Sequence, residues 1–228
     1  MKKQQGATLI VVLIILIIVT LLGTIAVKTG ILGLKVATNS QVNALLLENS
    51  DSALFNIENP DQVARQLASD GMFSYFNALA NADDELVFCY RAASSSFFSL
   101  SQASAITASG STTKIGVDGF CKANQFAMGR SAVLSQVYLT KNFTASKPFS
   151  SVPKGTSLGQ SNISVTTNNI GATVISILPS FSSATTAQIE SCFKQPASAV
   201  GACFDGLGIP YNMQHSDYIV GGQPKLIS

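Results

Sequence analysis

The chain has 228 residues, 46% of them apolar and 11% charged, with Lys+Arg 14 against Asp+Glu 12 and a formal net charge of +2. Once an apolar N-terminal stretch is set aside, that length leaves room for one domain of moderate size, which argues against a multidomain chain. The four cysteines, Cys89, Cys121, Cys192 and Cys203, are widely spaced, with no C-x-x-C pair and no histidine nearby, which argues against a zinc cluster.

Residues 1–6, MKKQQG, are a short basic leader set directly against residues 7–27, ATLIVVLIILIIVTLLGTIAV, a run without a charge that Lys28 closes. At about 1.5 Å per residue the run makes a helix of about 31 Å, enough to cross a hydrocarbon core of about 30 Å. In lipid the backbone must satisfy itself, so a lone segment of this kind is helical. The run exceeds the 7–15 residues or so of a secretory h-region and lacks an A-x-A-like site, so it is expected to be retained. Lys2 and Lys3 precede it, and the positive-inside bias then places the N-terminus in the cytoplasm and the domain outside the membrane.

The combination of K-K-x-x-G, the small polar Thr8 and an uninterrupted Leu/Ile/Val run resembles the N-terminus of type IV pilins. The resemblance implies that a prepilin peptidase cuts between Gly6 and Ala7 and that Ala7 is then N-methylated; most relatives carry Phe at that place. They also carry a glutamate five residues into the mature chain, where this sequence has Val11. A carboxylate in lipid is costly unless paired, and subunits lacking it are typically tip-proximal minor components. The likeness is to the PilX-like class of minor pilins. It implies an α+β fold, with one long helix packed on an antiparallel sheet and a disulfide-closed C-terminal region. Nothing specific is recognised beyond about residue 58.

From Lys28 onward the pattern turns amphipathic, with Val42, Leu45, Leu46, Ala53 and Ile57 recurring at helical spacings and Glu48, Asn49 and Asp51 off that stripe. Gly23, Gly30 and Gly33 are weak points of about 1 kcal/mol each relative to Ala, where the helix is expected to bend or loosen when subunits pack. Pro60 stops the helix, which gives residues 1–6 as leader, 7–58 as helix and 59–228 as globular domain. Asn59 as N-cap, Pro60 in the first turn and Gln62 at the capping-box position then open a second helix. Val63, Ala64, Leu67 and Ala68 form its apolar face and Gly71 ends it, with another helical turn or two over residues 72–80.

Beyond residue 60 the composition shifts to Ser, Thr, Asn, Gly and Ala with scattered aromatics, which suits short strands and polar turns. Strands are expected over residues 86–91, 132–139 and 172–178, with weaker signals at 163–167 and 218–220, and a helix over 185–193. The serine-rich patch 94–104 reads as a surface loop. The cysteines read as two structural disulfides of an oxidising compartment. Three pairings are open; Cys89–Cys121 and Cys192–Cys203 are favoured because each closes a local loop.

Charge is arranged in blocks. Acids outnumber bases eight to one over residues 48–85, and bases outnumber acids seven to one over 86–154. Such blocks steer a partner, face each other or are simply solvated. The basic block holds Phe120, Phe126, Tyr138, Phe143 and Phe149, the mixture that binds single-stranded nucleic acid. Asp83-Asp84-Glu85 is expected to be a solvated acidic loop rather than a calcium site. Gly155-Thr-Ser157-Leu-Gly159 fits G-x-S-x-G, and Asp205 and His215 follow in hydrolase triad order. The flanking residues read as a turn between strands, so no enzyme is expected.

What the resemblance implies is a structural role without cofactor or metal. The helix waits in the inner membrane and is extracted by the assembly platform. The subunit then joins other minor pilins, the major pilin and a tip adhesin at or near the pilus tip, supporting twitching motility, adhesion and DNA uptake. The alternatives are a type II secretion minor pseudopilin at a pseudopilus tip, and a membrane-anchored periplasmic hydrolase with Ser157 and His215.

Overall fold

The computed structural model describes residues 5–94, 98–112, 115, 118–128, 132–142 and 167–221, with the backbone alone for 5–7, 167–168 and 219–221. The chain divides into two compact units, Met1–Val42 and Asn43–Ser228. Helix α1, Gln5–Glu58, is unbroken and contributes to both. In the first unit the described side chains from Thr8 to Gln41 are exposed, with Thr38 half-exposed.

In the second unit, α1 stops where Asn59 leaves helical space ahead of Pro60. The Asn59 side chain accepts the Asp61 N–H at 3.0 Å and so caps a 3-10 turn, Pro60–Gln62. The helix expected behind it is only one turn, α2, Val63–Gln66. Leu67 and Ala68, expected on its apolar face, lie beyond it. The chain folds back here: the buried Gln66 amide donates to Ile57 O at 2.7 Å. A Cβ on Gly71 would run into the carbonyls of Gln66 and Arg65, so Gly71 permits a close approach rather than ending a helix. Arg65 forks onto Asp70 at 2.6 and 2.7 Å and holds that carboxyl below its ordinary range. Helix α3, Met72–Asn77, follows.

Strands β1 (Glu85–Tyr90), β2 (Ser104–Ile106), β3 (Leu134–Lys141), β4 (Thr167–Ile177) and β5 (Tyr211–Gly221) form one antiparallel sheet in the order β2-β1-β3-β4-β5. One face carries Leu86, Phe88, Val137, Leu139, Ala172 and Val174 against Ala53 and Ile57 of α1 and Met72, Phe73 and Phe76 of α3. The other carries Val87, Leu134, Tyr138, Ile175 and Ile177 against α4 (Thr186–Phe193) and α5 (Ala197–Gly206). Burial on both faces explains why β1 reads as a nearly continuous apolar run and why β3 and the end of β4 break clean alternation, with Ser135, Gln136 and Ser176 buried among apolar neighbours. This is the α+β layout with a long N-terminal helix and two disulfides that the sequence implied.

Polar seams set how the helix sits on the sheet. Ser50 donates to Ser176 Oγ at 2.8 Å, and Ser176 pairs with Ser135 at 2.8 Å. Tyr90 OH meets Ser52 Oγ at 2.9 Å and accepts from Asn56 at 3.1 Å. Tyr90, Ser135, Ser176 and Asn212 are cross-strand partners in sequence, so they form one row across β1, β3, β4 and β5. Asn49, expected off the buried stripe, is itself buried, its amide donating to Leu45 O at 2.8 Å. The 94–104 patch is also corrected: Phe98, Ala103 and Ser104 are buried and Ser104 opens β2.

Candidate assembly helix

The residues with the strongest sequence signal lie on α1. Gly6 and Ala7 fall within its first turns, where the backbone alone is described. Val11 is 54% exposed, in line with the Leu, Ile and Val side chains around it. Beyond Thr8, the threonines at 20, 24, 29 and 38 interrupt the apolar surface, and each of these turns its hydroxyl back onto the helix. Thr20 donates to Ile17 O at 2.8 Å, Thr24 to Leu21 O at 2.8 Å, Thr29 to Ile25 O at 2.9 Å and Thr38 to Leu34 O at 2.9 Å. These i−3 and i−4 bonds satisfy the hydroxyls without any outside partner.

A second feature was missed when the glycines were read only as weak points. Gly23, Ala26, Gly30, Gly33, Ala37 and Ser40 recur at alternating spacings of three and four, which places them on one seam of the helix. A Cβ added at Gly23, Gly30 or Gly33 would meet nothing within 4 Å. The seam is a shallow track along an otherwise bulky surface, and the heptad spacing was its signal in the sequence.

The cysteines close as Cys89–Cys121, with a sequence separation of 32, and Cys192–Cys203, with a separation of 11. Gln136 braces the region between the bridges. Its Oε1 accepts the Cys121 N–H at 2.8 Å, and its amide donates to Phe193 O at 2.7 Å.

Of the acidic triplet only Asp83 is exposed; Asp84 and Glu85 depart from the solvated loop expected. Asp84 is buried and accepts from Tyr75 OH at 2.6 Å, which with burial drives the tyrosine's proton loss upward. Glu85 turns elsewhere, its Oε2 accepting the Ala197 N–H at the start of α5 at 2.8 Å. Burial pushes the Glu85 carboxyl up, and the Ala197 bond opposes this in part. A raised carboxyl keeps its proton longer in the folded chain than in the unfolded one. Its contribution is therefore full below the ordinary glutamate value of about 4.3 and is lost as pH rises through the raised folded value. Glu85→Gln keeps an acceptor for Ala197 without the charge. The variant's stability relative to the parent is expected to rise between about pH 4 and pH 7, which urea unfolding at the two pH values checks.

Of the other sequence-derived residues the structure describes a part. Ser157 lies outside the described residues, as do Lys114, Arg130, Phe143, Lys147, Phe149 and Lys154. Asp205, in α5, accepts from Tyr211 OH at 3.2 Å. His215 is four residues further along β5, about 13 Å of strand rise, and meets Thr173 Oγ1 at 2.9 Å and Asp217 at 3.6 Å. The carboxylate beside the histidine is thus Asp217, not Asp205. In the basic block Phe120 and Tyr138 are core residues, and Phe126 is the exposed aromatic among those described. Lys141 donates to Phe76 O at 3.0 Å and Lys122 lies 3.6 Å from Asp118.

The class these features define is an α+β protein of pilin-like layout: a long apolar N-terminal helix, a five-stranded antiparallel sheet and two disulfides. Helix α1 is long and apolar enough to cross a membrane. Comparison with protein-family models, with curated proteins and with solved structures finds no match to this chain.

Proposed function

We propose that the chain is a minor pilin of a type IV pilus, held in the inner membrane by α1 with its N-terminus cytoplasmic and later stacked through the same helix into the fibre near its tip. The observation that carries the reading is α1 itself. Its first part is an apolar helix with every described side chain turned outward, and its last turns are built into the disulfide-closed domain. The small-residue seam supports it, because Gly and Ala let the backbone of a second helix approach closely where hydrophobic burial supplies no driving force. Val11, in place of the pilin glutamate, fits a subunit with nothing stacked above it. The partners that follow are other minor pilins, the major pilin, a tip adhesin, the prepilin peptidase and the assembly platform. Motility, adhesion and DNA uptake are the activities such a complex serves.

Processing at the Gly6–Ala7 junction tests the reading. Intact-mass measurement of the membrane form is expected to show loss of residues 1–6 and gain of one methyl group. Gly6→Val is expected to leave the precursor uncut and out of the fibre. A mature mass that retains the leader, or normal fibres that incorporate the uncut variant, would overturn it.

A further inference from the structure

The two edges of the sheet are finished differently. At one edge β2 is three residues long and buried. Gly119 is pressed so closely there that a Cβ would strike Ser104 N and Val87 O, and its N–H donates to Ser104 Oγ at 3.1 Å. At the other edge β5 runs for 11 residues and, among the described residues, has a neighbouring strand on one side only. Its register with β4 is continuous from Tyr211↔Ile177 to Gly221↔Thr167, with no bulge. Every described side chain from Tyr211 to Tyr218 is exposed or half-exposed. The strand YNMQHSDYIVG contains no lysine, arginine or proline, the residues that commonly blunt such an edge.

We propose that the outer edge of β5 is a docking site for an extended, basic segment of a partner protein, which adds to the sheet as a sixth strand. Every other residue of an edge strand directs its N–H and C=O away from the sheet, so the site offers a backbone ladder of its own. The charge along the strand selects the occupant. Asp205 sits at Tyr211, Glu58 accepts from Ser216 Oγ at 3.0 Å, and Asp217, on β5 itself, accepts from the neutral Asn142 amide at 2.8 Å and keeps its charge. Three carboxylates thus flank a strand that carries no lysine or arginine. Lysine or arginine at alternate positions of an incoming strand lies on one face and there meets Asp205 and Asp217, with Glu58 on the opposite face beside Ser216, whereas a second copy of β5 would bring Asp217 toward like charges. The inference stands apart from the pilin reading, since it requires only the sheet.

The test uses the full-length chain in lipid nanodiscs and an 11-residue peptide alternating Lys with Val, matched to β5 in length. Two comparison peptides carry Glu for Lys, or the same side chains on an N-methylated backbone. The Lys peptide is expected to bind saturably and to slow hydrogen exchange at alternate amides of β5. N-methylation is expected to weaken binding by about tenfold or more, the loss of one or two net backbone bonds. Asp217→Lys is expected to shift preference from the Lys to the Glu peptide. Unchanged exchange along β5, or equal binding of the N-methylated peptide, overturns the proposal. So does β5 protection without peptide in a chain that sediments as a dimer, which would make the second copy the occupant.

Discussion

Phe193→Ala is expected to lower the unfolding free energy by about 3–5 kcal/mol, the cost of deleting a fully buried ring from the second face of the sheet. Phe193 is 0% exposed and stands edge-on to Phe204, with ring centroids 5.0 Å apart. It closes α4, whose start is fixed by a capping box between Thr185 and Gln188. Its carbonyl also accepts from the Gln136 amide and from Tyr138 OH at 2.9 Å. Truncating the ring leaves a cavity that neither helix can fill, since the Cys192–Cys203 bridge restricts their approach. The chain has no tryptophan, so near-ultraviolet circular dichroism of the tyrosines during urea unfolding is the suitable readout. A loss below about 1 kcal/mol would mean that α4 and α5 are not seated on the sheet.

The second large effect concerns the bridges. By loop-closure entropy, removing Cys89–Cys121, with its separation of 32, costs about 4 kcal/mol, and removing Cys192–Cys203, with its separation of 11, about 3 kcal/mol. Cys89→Ala with Cys121→Ala is therefore expected to shift the urea midpoint further than the other double variant. The backbone adds to the difference. The Cys121 N–H is held by Gln136 directly across from Cys89, which is the β3 partner of that strand position. If the shorter loop proves the more costly to open, packing between α4 and α5 outweighs chain entropy.

Long-range apolar order was legible in the sequence, and polar burial was not. The unbroken run and Pro60 gave α1 its nature and its end at Glu58. The helix expected over residues 185–193 is α4 within a residue, and the cysteine spacings favoured the two loops that close. Helix α5 was not read, because Ala197–Gly206 is a run of small residues with two glycines and no side-chain cap. It forms because Val200 and Phe204, one turn apart, meet the apolar cluster beneath α4. Most of β5 was also missed: at the sheet edge Asn212, Gln214, His215 and Asp217 need not alternate with apolar residues. Asn49, Asp84 and Ser104 look like solvent-facing residues in sequence. Asp84 and Ser104 are buried because another segment takes up the polar group, and Asn49 because its amide turns back onto Leu45 O of its own helix, which no apolar pattern announces. The seam on α1 was legible but overlooked, since glycine was weighed for helix propensity and not for position.

The threonines of α1 carry one more implication. At Thr20, Thr24, Thr29 and Thr38 the hydroxyl proton already goes to the helix's own carbonyls, at 2.8–2.9 Å, so under the proposed function these four ask for no acceptor from hydrocarbon tails or from a neighbouring helix. On that proposal, passage from bilayer to fibre breaks no hydrogen bond donated by these four residues. The cost of pulling the uncharged stretch over residues 8–27 free should then scale with its greasy surface, a quantity that force spectroscopy on single molecules reads directly.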